Sequence, residues 1–353
     1  MKVFLWETKT SAEDISVGST FWKRTTLDPQ LSLYLPAIRK LGHDPRGCIY
    51  DVLRKPDQRP GTIPLLDETG TKIVHDATGQ RVRTKDGKKW RQTGDTELGY
   101  VLQSRPETPE EYGHRCLEAI AEDPAKFYAR GMVVRLEADE REAAQDMWNT
   151  ASLMRDARRL NMYPRNPDSC VSWGRECDYL SVCSGMMDLK DPLFFRFEED
   201  IHEELAEEGV ATTLTDDASL LTQSAMRAYR SCPRKFQNRY VLRMRPIKKA
   251  ETLSTGHSVH AALDVFRRTG DVDAAKAALE TTDLFIRAKE EAMILGYAAR
   301  WGKPTGVIAI EQTFRVPLVN PETGASSRTF SLGGRVDAIV EAEAVAELIN
   351  PTG

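Results

Sequence analysis

The chain has 353 residues, with 49 Lys and Arg against 53 Asp and Glu, giving a net charge of −4. A content of 41% hydrophobic and 29% charged residues excludes a wholly disordered chain and allows one large domain or two ordinary ones. No apolar run approaches the roughly 20 residues of a membrane helix, and the near-neutral charge excludes nucleic-acid binding by bulk charge alone, leaving a local basic patch open.

The first expected strand is residues 3–6, apolar and β-favouring. This stretch is too short for a signal peptide, so a cytoplasmic location is the expectation. Asp28 and Pro29 suit the cap and first turn of a helix whose Leu31, Tyr34, Leu35, Ile38 and Leu41 share a face before Gly42. Residues 48–53 read as a strand. Residues 57–107 are polar and rich in Gly, Pro, Thr and Lys, which suits an insertion of hairpins or a flexible lid. Thr108 caps the next helix, residues 132–136 form a strand, and a long helix covers about 140–160. An acidic helix is expected at 197–208 and a linker at 209–217. Helices follow from Ser224 to Tyr229, and over 235–240, 255–266 and 272–295, with strands near 306–316 and 330–340. Residues 344–349 read as half-buried structure. The chain thus begins and stops abruptly within expected elements.

Several groupings could carry chemistry. Glu7-Thr8-Lys9 follows the first strand, and residues two apart on a strand point to one face. Such a pair is either a solvated ion pair or a carboxylate for Mg²⁺ beside a lysine that steadies a water or phosphate. Asp86-Gly87-Lys88 has the same form but sits in a polar turn. Gln30 and Tyr34 share a helix face, as an ordinary helix start or as part of a site. Asp337 interrupts an alternating apolar strand, so it is either paired with Arg335 or bound to metal. His260 lies on a helix in Gly256-x₃-His260, where a packed histidine is the simpler reading.

The cysteines are more specific. Cys170, Cys177 and Cys183 fall within one short segment after a Pro-rich loop, and Cys232 is a plausible fourth ligand. Four thiolates suit an iron–sulfur cluster or Zn²⁺, and the lack of a tight Cys-x₂₋₄-Cys pair favours iron–sulfur. Cys48 and Cys116 read as ordinary buried thiols. A basic stretch holds Arg227, Arg230, Arg234, Lys235, Arg239, Arg243, Arg245, Lys248 and Lys249, interleaved with Tyr229, Phe236 and Tyr240. It is either a solvated helix face or a track for phosphates and bases.

Together, Ser224-x₄-Tyr229-x₂-Cys232-Pro233-x₂-Phe236, Gly256-x₃-His260, Gly334-x₂-Asp337, Glu7-x-Lys9-Thr10, Gln30-x₃-Tyr34 and the three clustered cysteines resemble RecB-type PD-(D/E)XK nucleases. The iron–sulfur branch fits best, as in the AddB nuclease, the CRISPR-associated adaptation exonucleases and phage nucleases. The order differs, because the family's first motifs lie here in residues 224–337 and its later ones in residues 7–183. Read as a circle, from 211 to 353 and then from 1 to 208, the family order returns. Two explanations stay open: a circular permutation, or a gene-end artefact joining the tail of one copy to the head of the next.

The resemblance implies a restriction-endonuclease-like α/β fold, with a central mixed sheet flanked by helices and a helical region stapled by the cluster. It implies one nuclease domain in two halves, 1–208 and 211–353. Asp337, Glu7, His260 and the Thr8 carbonyl would hold Mg²⁺ or Mn²⁺. Lys9 would steady the attacking water, and Gln30 and Tyr34 would support it. Cys170, Cys177, Cys183 and Cys232 would hold a [4Fe–4S] cluster, or Zn²⁺ as the alternative. Tyr229, Arg230, Arg234, Lys235 and Arg239 would touch DNA. The implied activity is a DNA exonuclease on single strands in recombination, repair or phage DNA processing, with a helicase or recombination protein as possible partner and no membrane. The competing reading is a non-catalytic DNA-binding or assembly fragment, stapled by the cluster or by zinc.

Overall fold

A computed structural model describes residues 1–172, 174–202, 205, 217–247, 251–303 and 305–349, with only the backbone described at 251–254 and 347. Of the linker expected at 209–217, residues 209–216 lie outside the described residues, as do Lys248 and Lys249.

The centre is a six-stranded mixed sheet. Its strands are β1 (Lys2–Ser11), β2 (Pro45–Arg54), β3 (Tyr128–Val133), β4 (Leu220–Leu221), β5 (Val307–Val319) and β6 (Ser326–Ala342). β6 pairs with β5 along one edge; along its other edge it pairs with β4 at Ser331 and Leu332 and with β1 from Ala338 to Ala342, and β2 and then β3 follow β1. β1 runs antiparallel to β6, with Trp6 opposite Ala338, and parallel to β2, with Lys9 opposite Val52. The first and last strands of the sheet are therefore neighbours, and they place Glu7 beside Asp337.

Alternation along β1 divides the two faces of the sheet. Leu5 packs with Leu31, Tyr34 and Ile38 of α1 (Pro29–Lys40), together with Met147 and Met154 of a long helix over Glu137–Leu160. Phe4 and Trp6 point the other way, towards Ile49, Val340 and Leu348. A third apolar cluster joins Tyr112 and Ile120 of α2 (Pro109–Glu122) to Leu263 and Phe266 of α3 (Glu251–Thr269) and Met293 and Tyr297 of α4 (Leu284–Trp301). Helices thus flank a mixed sheet, consistent with a restriction-endonuclease-like fold. Among the described residues no helix is long and apolar enough to cross a membrane.

Several local expectations need correction. The helix expected over 272–295 is two helices, because the Asp283 carboxylate accepts from the amides of Phe285 and Ile286 and starts α4 afresh. Residues 345–349, expected only as half-buried structure, form a short helix. The strand expected at 132–136 sits earlier, since Leu136 already caps the Glu137–Leu160 helix. Of the acidic helix expected at 197–208, Phe197 instead ends a strand, Phe195–Phe197, paired with Met244–Pro246, and residues 198–202 are not α-helical; residues 203, 204 and 206–208 lie outside the described residues. The segment at 235–240 begins as a short α-helical turn and widens to a π-helix over Gln237–Val241.

Residues 57–107 form an arm of short hairpins. Thr62–Pro64 pairs with Ser104–Pro106, and Val74–His75 pairs with Val101–Leu102. Its turns are closed by aspartates: Asp67, Asp76 and Asp86 accept from the amides of Thr69, Thr78 and Lys88. The root is pinned to α2, where Arg115 holds the Glu107 carboxylate at 2.7 Å and Glu107 accepts from the Gly61 amide.

Candidate active site

The site lies on the α1 face of β1. Asp28 caps α1 by accepting from the Gln30 amide at 2.9 Å, and its other oxygen accepts from the Tyr50 hydroxyl on β2. This cap fixes the first turn of the helix over the sheet and aims Gln30 at β1. The Gln30 side chain then donates to Glu7 Oε1 at 2.9 Å and to the Tyr34 hydroxyl at 2.9 Å. Its oxygen accepts from Lys9 Nζ at 2.8 Å, and Lys9 also donates to Glu7 Oε1 at 2.7 Å. Glu7, Lys9, Gln30 and Tyr34 therefore form one continuous network.

Asp337 joins from β6. Its Oδ2 accepts from the Thr8 amide at 2.7 Å and lies 3.7 Å from His260 Nδ1 on α3. Two glycines make these approaches possible. A Cβ on Gly256 would meet the Thr10 hydroxyl at 3.1 Å, so the glycine lets α3 lie against β1 one turn before His260. A Cβ on Gly334 would fall within 2.8 Å of the Tyr34 and Phe314 rings, so this position must be bare for Tyr34 to seat. The Gly-x₃-His and Gly-x₂-Asp spacings thus have steric reasons.

The electrostatics are those of an incomplete anionic site. Glu7 is 5% exposed, and its Oε2 is buried without a hydrogen-bond partner. Burial, then repulsion from Asp337, pushes its carboxyl up to about 8 despite Lys9. Burial works against the Lys9 ammonium, but the charges of Glu7 and Asp28 outweigh it and hold the group firmly protonated. Burial pulls the His260 imidazole down although Asp337 opposes the shift.

Sequence reasoning missed a second acidic pair. Glu311 on β5 is pushed up to about 8 by burial and then by the charge of Asp264 on α3, while Arg335 holds it at 2.5 Å. The signal was available, since Glu311 interrupts an apolar strand as Asp337 does. Also missed was the charge network beneath the sheet. Arg267 donates to the Thr8 hydroxyl and pairs with Asp264 at 2.7 Å, 3.9 Å from the buried Asp51. Asp51 in turn holds Arg130 at 2.9 Å.

A cleft of about 750 Å³ opens onto this centre. Lys9, Gln30, Tyr34 and Asp337 line it, with Arg227 and Arg230 from the Gln223–Ser231 helix and Arg335 from β6. Of the residues expected to touch DNA, Arg230 is thus at the cleft. The others are elsewhere: Arg234 donates to the Tyr163 carbonyl, Tyr229 to the Leu153 carbonyl, and Arg239 lies over Tyr240. Lys235 borders the cysteines.

Cys170, Cys177, Cys183 and Cys232 all line one small pocket and are free thiols. The hairpin between the first two explains their spacing, because the Cys177 amide donates to the Cys170 carbonyl at 2.7 Å. Burial pushes the Cys183 thiol up, and the other three thiols add to the shift. Among the described residues, however, no three His, Cys, Asp or Glu side chains stand close enough together to hold a metal ion as they are. The expected cluster therefore has its four residues in one place without a formed ligand cage.

The fold and site together define a class: a mixed α/β protein with paired carboxylates and a lysine at the mouth of a basic cleft. Residues 220–349 match the family model of the PD-(D/E)XK nuclease superfamily. The matched segment, somewhat over a third of the chain, carries His260 and Asp337, whereas Glu7, Lys9 and Gln30 lie outside it. That superfamily points to a metal-dependent nuclease, and its members usually use Mg²⁺ or Mn²⁺. No curated protein and no solved structure matches the chain.

Proposed function

We propose that the chain is a divalent-cation-dependent deoxyribonuclease that hydrolyses phosphodiester bonds, acting as an exonuclease on single-stranded DNA in recombination, repair or phage DNA processing. One observation carries this reading. Glu7 and Asp337, far apart in sequence, meet beside Lys9 in a cleft lined by arginines. The motifs are complete only when β1 and β6 are taken together, which supports a circularly permuted order within a single domain.

The chemistry of the donors, two carboxylates beside an imidazole, suits a hard cation. The orphaned Glu7 oxygen and the Asp337 carboxylate are oxygen donors of the kind such an ion takes, although among the described residues Glu7, Asp337 and His260 do not stand close enough together to hold it as they are. Asp337, Glu7, His260 and the Thr8 carbonyl would hold Mg²⁺ or Mn²⁺, and the ion would supply charge that polarises the scissile phosphate. Lys9 offsets negative charge as it builds on the phosphate and orients the attacking water. Gln30, held by Tyr34, fixes Lys9 against Glu7. Arg227 and Arg230, which line the cleft, bind backbone phosphates of the strand near the reacting one. Cys170, Cys177, Cys183 and Cys232 would hold a [4Fe–4S] cluster as a structural staple and take no part in the chemistry.

The test is Lys9→Ala. The variant should lose magnesium-dependent cleavage of end-labelled single-stranded DNA by about 100-fold or more while keeping its melting temperature and its DNA affinity in chelator. Retained cleavage would remove Lys9 from the reaction. A parent chain that binds DNA equally with and without the ion and never cleaves it would instead be a binding module.

A further inference from the structure

The hairpin arm has no role in the chemistry above, yet its charges are sorted. Between residues 81 and 91 six cations face a single acid, Asp86. Two of the six are committed, Arg81 to Asp67 at 2.5 Å and Arg91 to Asp95 at 2.9 Å. Arg83, Lys85, Lys88 and Lys89 are exposed and have no carboxylate partner among the described residues. Asp86 accepts from the Thr84 hydroxyl and the Lys88 amide, and its single charge offsets only one of these four.

The tip is also held in shape. The guanidinium groups of Arg81 and Arg83 lie over the Trp90 ring at 4.4 and 4.2 Å. Arg83 further donates to the Gly87 carbonyl at 3.2 Å, closing the turn that presents the lysines. An exposed cluster of like charges costs self-repulsion, which a polyanion would relieve.

The root gives the direction. The arm continues from β2, which runs parallel to β1 with Lys9 opposite Val52 and Ser11 opposite Arg54. The Lys55 amide donates to the Ser11 carbonyl at 2.7 Å. The arm therefore leaves the sheet at the end where Lys9 meets the cleft. The Tyr112 hydroxyl and Arg115 pin its first limb through the carbonyls of Gln58 and Arg59, both at 2.8 Å.

We infer that the tip of this arm, through Arg83, Lys85, Lys88 and Lys89, is a second, sequence-independent contact with the sugar-phosphate backbone of the DNA whose end occupies the cleft. This deepens the nuclease reading and rests on it for the identity of the polyanion. The arm would act on substrates long enough to span both contacts and would leave short ones unaffected.

The experiment uses the full chain in chelator, so that binding is read without cleavage. Fluorescent single-stranded DNA of about 40 nucleotides is compared with one of about 8, short enough for the cleft alone. Replacing Arg83, Lys85, Lys88 and Lys89 by Gln should weaken binding of the long strand about tenfold or more and lower its salt slope by about three. Binding of the short strand should not change, and Arg replacements at the three lysines should behave as the parent. Should the fourfold variant melt early, Lys88→Glu with Lys89→Glu on the exposed turn gives the same comparison. Unchanged affinity and slope on the long strand would overturn the proposal, as would Arg replacements as weak as the Gln ones. A chain whose arm contributes to binding but which never cleaves with magnesium would end the nuclease reading alone. One that cleaves while the neutralised arm binds normally would end the arm alone.

Discussion

The amide of Thr8 donates to the carboxylate of Asp337 at 2.7 Å across 329 positions of sequence. This bond aligns β1 with β6 and sets the two carboxylates of the site side by side. It also predicts how Asp337→Asn will behave. The amide side chain keeps an oxygen for Thr8 but carries no charge, so cation binding and cleavage should fall together. Repulsion on Glu7 falls as well, so the variant should melt higher than the parent in chelator. A lower melting temperature in chelator would mean that the bond needs the charge.

Burial and the charge of Asp337 push the Glu7 carboxyl from its ordinary value near 4.5 up to about 8. Between these values the folded chain binds the extra proton at Glu7, so the contribution of Glu7 to stability is full below that window and falls as pH rises through it. A divalent ion favours the ionised carboxylate and should reverse the trend. The melting-temperature gain from magnesium should be small near pH 5 and about 5 °C or more near pH 8. Glu7→Gln should remove most of both effects.

Gly334→Ala places a methyl within 2.8 Å of the Tyr34 and Phe314 rings. Overpacking of this kind costs about 1–3 kcal/mol, which a urea midpoint would report. Because Tyr34 holds Gln30, and Gln30 holds Lys9, activity measured well below the midpoint should drop too. Tyr34→Phe, which removes only the hydroxyl, should reproduce part of the activity loss with little loss of stability.

Chain purified without oxygen should carry iron and be coloured, and Cys177→Ser should lose iron and stability together. Elemental analysis separates the alternatives: zinc in place of iron identifies a zinc staple. A colourless, metal-free parent with the stability of the variant would remove the cluster.

What could be read from the sequence was what short spacing encodes. Glu7 and Lys9 were visible because a strand repeats every two residues, Gln30 and Tyr34 because a helix returns every four, and Asp337 because a charge in an apolar strand is costly. Glu311 carries the same signal as Asp337, but its partner Asp264 comes from a helix far away in sequence and no local pattern joins them. The Asp51–Arg130–Arg267 network beneath the sheet is wholly long-range and left no trace. The basic stretch was legible as composition only. Helix orientation decides that Arg227 and Arg230 face the cleft while Arg234 and Lys235 turn towards the cysteine region. Residues 344–349 were ambiguous because a short apolar run suits either a strand or a helical turn.

Separation along the chain also has a consequence in time. Contacts between distant segments form late and slowly, since the intervening chain must first be ordered. A growing chain displays Glu7 and Lys9 early but lacks Asp337, which lies 329 positions after Thr8, until that whole intervening length has been made. On the nuclease reading, competence to cut is thereby deferred until β6 has docked beside β1, and a chain lacking β6 carries only half a site.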